Sequence, residues 1–285
     1  MRCVLAHHGG RQSDGEDDQY RFHERESINV LEHSESLTTP FDAPDKSARR
    51  HARSILFSAT VISLADDRQQ WLLEQLSQFA DNCDNRFVDI AMGLCVRRLG
   101  QNPVYLTDTL KQELARSMPG WNIDGCAVDA LARMLLLTGF NDDTQLAIQL
   151  RRLLRHADVK EQLSFFKGLP LYPASPELND LIADGLRSNV SDVFESIAHH
   201  NPYPAWHLDT HRFNHMVLKA LFIDSSLEPI VGLQERNNPE LAQMLLNTAR
   251  ERLAASRPVN SQLWALALPY MTSAERQEFA SEIPS

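Results

Sequence analysis

The densest run of residue types able to do chemistry lies between Asn189 and Asn214, which holds Glu195, His199, His200, Asn201, Tyr203, His207, Asp209 and His211. His207, His211 and His215 recur every four residues, and Lys219 continues the series. At about 100° per residue, that interval predicts one drifting polar stripe on a helix, flanked by Asn214, with Phe213, Met216, Val217, Ala220 and Leu221 on the opposite side. Three histidines so spaced could share a divalent metal, since adjacent members are neighbours on the helix surface. A polar pocket for an organic ligand and a solvated helix face remain the alternatives. Asp209 points elsewhere on the helix and adds no acidic ligand to the stripe. His199 and His200 end the preceding helix, where a histidine suits the negative end of the dipole.

Two other groups of cations are candidates. Arg236 sits in a loop after Gly232-Leu233-Gln234-Glu235, where it could clamp an anion or pair with Glu235 or Glu240; Asn237 and Asn238 beside it read as a turn and a helix cap. Arg151, Arg152, Arg155 and His156 form a basic patch late in one helix, with Lys160 and Lys167 nearby. Without interleaved aromatics, that patch reads as a solvated helix end rather than a nucleic-acid contact. No GxxxxGK[ST] loop, GxGxxG turn, GxSxG elbow or HExxH helix occurs. The reading therefore leans away from an enzyme and assigns no catalytic residue, no metal ligand and no cofactor. A metal-assisted hydrolase or isomerase using Glu195 or a histidine of the stripe is the competing expectation.

Helices must position these groups. Trp71, Leu72, Gln75, Leu76 and Phe79 repeat at helical spacing behind Asp66 and Asp67; Phe87, Ile90, Ala91, Leu94 and Cys95 repeat it, with Arg97 and Arg98 in the last turn before Gly100. The same pattern predicts helices over 107–118, 124–137, 142–155, 158–167, 175–187, 192–200, 208–223, 239–255, 261–268 and 272–282. Ser175-Pro176-Glu177 and Asn238-Pro239-Glu240 each place proline just after an N-cap, and Thr272-x-x-Glu275 is a capping box. Asn201-Pro202-Tyr203-Pro204 must leave the helix, because each proline removes a donor, so a rigid corner should join two helices. With no alternating stretch to compete as a strand, the expected fold is all-α: about a dozen helices in one domain, as a stack of helical hairpins or an irregular bundle. No fixed-period repeat supports a regular solenoid.

Composition bounds the partners. The chain has 285 residues, 28 Lys plus Arg against 38 Asp plus Glu, and a formal net charge of −10, which disfavours nucleic acid. Cys3, Cys83, Cys95 and Cys126 are far apart and form no CxxC, as expected for a reducing cytoplasm. The longest apolar run, from Ile55 to Ala65, is about half of the ~20 residues a membrane span needs, and no signal peptide is visible. Residues 1–53 are acidic and poor in periodic apolar positions, and carry His7, His8, His23, His33 and His51 at spacings unlike a metal site. They are expected to be disordered or loosely ordered, with the helical domain over 54–285.

One stretch carries a resemblance. Arg187-Ser188-Asn189-Val190, Val193-Phe194-Glu195, Asn201-Pro202-Tyr203-Pro204-Ala205, Phe213 to Phe222, Ile230-Val231-Gly232-Leu233 and Arg236-Asn237-Asn238-Pro239-Glu240-Leu241-Ala242-Gln243-Met244-Leu245 resemble the EboA family in order and spacing. The resemblance covers about 158–269 and extends more weakly back to about 54. It implies an accessory role in a bacterial secondary-metabolite cluster beside a TatD-like hydrolase, a UbiA-like prenyltransferase, a sugar-isomerase-like barrel and a cyclase resembling dehydroquinate synthase. Partners would be a small metabolite or precursor, and possibly other proteins of the cluster. Asn201, Tyr203, Asn214, Lys219, Arg236 and Asn238 fall on the family's motif positions, whereas His207 and His211 do not. The expected ligand site joins Asn201, Tyr203, Asn214, Lys219, Arg236, Glu195, His211 and His215, with Lys219 and Arg236 holding an anionic group, Asn201 and Asn214 orienting it, and Tyr203 as a stacking wall. A pure protein–protein scaffold with an exposed apolar groove is the third expectation.

Overall fold

The structure is a computed structural model that describes residues 42–81, 84–140 and 143–283. Asp45 opens helix α1 (Lys46–Ile62) by accepting from the Ala48 amide at 2.7 Å, and Ala52, Ile55, Leu56 and Ala59 form its buried stripe. The expected domain boundary near residue 53 therefore falls inside a helix: the apolar stripe extends one turn further back than the segment's polar composition suggests. The expectation for residues 1–41, with its histidines other than His51, lies outside the described residues.

Helices α2 (Asp66–Asp81) and α3 (Asn85–Leu99) follow, and Gly100, at φ 83°, takes the left-handed conformation that ends α3. Next come β1 (Pro103–Val104), α4 (Asp108–Ser117) and β2 (Cys126–Ala127), with β1 and β2 paired antiparallel. That pairing takes the first residues of the helix expected over 124–137. Two-residue strands leave no periodicity to read, so only the pairing reveals them.

Helix α5 (Val128–Leu137) is buried at nearly every position and packs on α1, α2, α3 and α7 (Val159–Lys167). A helix apolar all round belongs in a core, and here the arrangement is an irregular bundle. Its two charges are matched internally: Arg133, 2% exposed, meets Asp129 at 2.5 Å and Glu161 of α7 at 3.5 Å. Glu161 also completes the capping box with Asp158 that starts α7. One carboxylate thereby sets both the start of α7 and its docking on α5.

Beyond α6 (Asp143–Leu154), the contacts run between helices near in sequence, as in stacked hairpins: α6 with α8 (Pro176–Leu186), α7 with α9 (Ser191–Ala198), and α8 with α9. The chain then turns through α10 (Tyr203–His207), α11 (Thr210–Phe222), α12 (Pro239–Ala254), α13 (Gln262–Ala267) and α14 (Ser273–Glu278). The capping box at Thr272 and the caps at Ser175 and Asn238 form as their sequences require.

Three loops from distant parts of the chain interlock. The Asn122 amide donates to the His200 carbonyl at 3.2 Å, and the His200 amide donates to Pro229 at 2.8 Å. His199 bridges Ile230, and Gly120, at φ 83°, lies so close to Val231 that an added Cβ would come within 2.6 Å of a Val231 methyl. No helix among the described residues is long and apolar enough to cross a membrane.

Candidate functional site

The corner after α9 is held by Asn201, 2% exposed, whose amide donates to the Phe166 and Ser196 carbonyls at 3.0 and 3.1 Å and whose oxygen accepts from the Tyr203 amide. Tyr203 is fully buried, which pushes its phenol pKa up, and its hydroxyl donates to Asn179 at 3.2 Å. Asn214 of α11, also fully buried, exchanges reciprocal amide bonds of 3.3 and 3.0 Å with Asn238. Asn238 in turn caps α12 through the Leu241 amide.

The two cations chosen from sequence meet backbone oxygens. Lys219 donates to the Leu186 carbonyl and, at 2.7 Å, to the Ser188 carbonyl, with its ammonium 5.3 Å from the centre of the Phe194 ring. Arg236 donates to Ala205 and Leu208 at 2.7 and 2.9 Å and stacks on Phe213 at 4.8 Å. Leu186 ends α8, and Ala205 and Leu208 belong to the end of α10, where carbonyls lack intrahelical partners. Lys219 therefore closes α8, and Arg236 closes α10. Partial burial lowers both pKa values, and the two side chains have no acceptor in common.

Glu195 accepts from the Ser225 hydroxyl at 2.7 Å; that oxygen also lies 3.2 Å from His199 Nε2, itself 2.9 Å from the Ser226 carbonyl. This cluster ties the turn after Asp224, at φ 55°, to α9, and Ser225 is only 6% exposed.

The three-histidine stripe needs correction. His207 ends α10, the chain extends at Leu208, and Asp209 caps a new helix, so His207 shares no helix with His211 and His215. Its ring packs on Tyr203 at 4.5 Å, and burial lowers its pKa to about 4. Proline at 204 starts a helical turn as readily as it breaks one, which is why the corner contains α10. Among the described residues, no group of three or more His, Cys, Asp or Glu side chains could hold a metal.

Open space lies elsewhere. A cavity of about 510 Å³ is walled by the end of α6, α7, α8 and the start of α9. Leu154, Phe166, Leu181 and Val193 supply apolar surface, Gln162, Asp184 and Ser188 supply polar groups, and Arg151 and Arg155 stand one helical turn apart on its rim. Neither arginine side chain has a hydrogen bond or ion pair among the described residues. Arg152, between them, is held by Asp89 and Gln149, and Asp184 by Arg187. The start of α9, between Ser188 and Val193, lacks a side-chain cap. A second cavity, of about 500 Å³, lies across α8 and is lined by Asp180, Asp184, Arg187, His211, Arg212 and His215. Among the described residues, neither of these two cavities is lined by Asn201, Tyr203, Asn214, Lys219, Arg236 or Glu195; His211 and His215 share the second.

A family model described as metabolite traffic protein EboA matches residues 53–268. The chain belongs to the EboA family. No curated protein and no solved structure matches it. The EboA match contains both cavities and all eight sequence-chosen residues, and stops before α14. The two arginines on the first cavity's rim had one legible signal: Arg151 has no acidic residue three or four positions away on its helix to pair with.

Proposed function

We propose that this EboA protein is a non-catalytic binding protein for a small anionic metabolite, which it holds in the cavity between α6, α7, α8 and α9. Arg151 and Arg155 would take the anionic group, the start of α9, which has no side-chain cap, would add positive potential, and the wall of Leu154, Phe166, Leu181 and Val193 would cover an apolar body. The observation that carries this reading is the pair of arginines, without partners among the described residues, beside a cavity large enough for a metabolite. The family's description as metabolite traffic proteins agrees with binding rather than turnover. In this reading, Lys219, Arg236, Asn201 and the Asn214–Asn238 pair hold α8, α10, α11 and α12 around the site and touch no ligand. The metabolite would be an intermediate passed among the enzymes of a biosynthetic cluster in the cytoplasm.

The test is calorimetric titration with phenyl phosphate and benzoate, using benzyl alcohol as the neutral control. Binding of either anion, weakened at least about tenfold by Arg151→Ala with Arg155→Ala, is the expected result. Equal binding by the wild-type and doubly substituted proteins, or preference for the alcohol, sinks the assignment.

A further inference from the structure

We propose that His211 and His215 form a two-histidine chelating site for a divalent transition-metal ion at the second cavity. Both lie on α11, a 13-residue helix, at an i, i+4 spacing that makes their side chains surface neighbours. Their ring centres stand 4.3 Å apart with planes inclined by 70°. Two imidazoles bound side by side to one ion, at metal–nitrogen distances of about 2.0–2.1 Å, place their ring centres about 4.5–5 Å apart. A small rotation of either ring therefore closes the chelate without moving the backbone.

The surroundings single out these two rings. The other charged groups of the cavity are matched: Arg212 meets Asp180 at 2.9 Å and Asp209 at 3.4 Å, and Arg187 meets Asp184. His211 Nδ1 lies 3.9 Å from Glu240 Oε1, beyond hydrogen-bond reach but close enough that a side-chain rotation would let the carboxylate accept from Nδ1–H while Nε2 faces the metal. The cavity's 500 Å³ accommodates the ion and its remaining ligands. With two protein nitrogens and no third donor among the described residues, those ligands are waters or the donor atoms of a small molecule, the open coordination of a binding rather than a structural site. Imidazole donors select Zn²⁺, Ni²⁺ or Cu²⁺ over the oxygen-seeking Mg²⁺ and Ca²⁺. This assignment stands apart from the anion cavity and survives its failure.

The experiment titrates the purified full-length chain with Zn²⁺, Ni²⁺ or Cu²⁺ alone, in competition with a chromophoric chelator. Wild-type protein is compared with His211→Ala, His215→Gln and His207→Ala. The first two histidines are solvent-facing, so folding should persist; urea denaturation verifies it. The expected result is one metal equivalent that weakens at least about tenfold in His211→Ala and in His215→Gln but not in His207→Ala, with no Mg²⁺ binding. A metal-dependent rise in melting temperature present in the wild type and absent from the two variants supports the same conclusion. Unchanged stoichiometry and affinity in both variants overturns the proposal. So does binding weaker than about 100 µM for all three metals, which marks an adventitious ion only.

Discussion

The α6–α9 cavity and the α8–α12 framework both carry pairs of cations, and they use them in opposite ways. Lys219 and Arg236 each reach two backbone carbonyls and rest on an aromatic ring, so their charge is consumed within the protein. Arg151 and Arg155 reach no acceptor among the described residues and line open space. A cation near a family motif can therefore be engaged by the helix ends around it. Where a helix stops without a capping side chain, the nearest long cation closes it first.

Substitutions can break that contrast. Arg236→Ala should be the most damaging, leaving the Ala205 and Leu208 carbonyls without a donor and removing the stack on Phe213. We expect a loss of about 2–4 kcal/mol in urea unfolding, with anion binding by the remaining folded protein little changed. Gly185→Ala comes next. Its Cβ would lie 2.6 Å from Ile197 Cδ1 and 2.7 Å from Phe166 Cζ, so the Phe166 ring must shift where it lines the first cavity. About 1–3 kcal/mol of destabilisation should accompany weaker binding of phenyl phosphate, and the contrast sharpens if the two losses appear together. Lys219→Ala should remove about 1–2 kcal/mol by uncovering the end of α8, again without a specific effect on binding.

His207 offers a pH test of the framework. Its folded pKa of about 4 lies below the ordinary histidine value of 6.5, so the fold favours the neutral ring. Its contribution to stability is then complete above pH 6.5 and is lost as the pH falls from 6.5 toward 4. Because the ring keeps some contact with water, the loss should be about 1 kcal/mol, visible as a lower urea midpoint at pH 5 than at pH 7 and reduced in His207→Gln. Smallest of all, Arg151→Ala and Arg155→Ala should each change stability by less than about 0.5 kcal/mol. A larger loss from either would place that arginine with the framework and erase the contrast.

Local grammar made most of the helices legible. Asp158, Ser175, Asn238 and Thr272 announce their helices because a cap and its recipient amide lie within one turn. The site was less legible because its meaning depends on distant partners. Lys219 stands out in sequence among neutral residues and Arg236 as a loop cation beside Glu235, yet the carbonyls they reach lie about thirty positions earlier and carry no sequence mark. Arg151 and Arg155 look like a wet helix end until α7, α8 and α9 are seen to line the open space beside them. The histidine spacing suggests one stripe, but two extended residues, Leu208 and Asp209, separate α10 from α11. A helical periodicity cannot register that break, since Leu208 is itself apolar and buried.

The interlock of the loops around Gly120, His200 and Val231 also bears on how the chain is made. At synthesis rates of about 5–20 residues per second, the segment around Gly120 leaves the ribosome on the order of 10 s before Val231 does. Through that interval the nascent N-terminal half carries a backbone amide at Asn122 and a glycine notch at Gly120 whose partners have not been synthesised. The final closure belongs to the C-terminal half, which must dock onto a waiting surface. Replacing Gly120 would therefore obstruct that late docking against Val231 and be felt in the yield of folded protein.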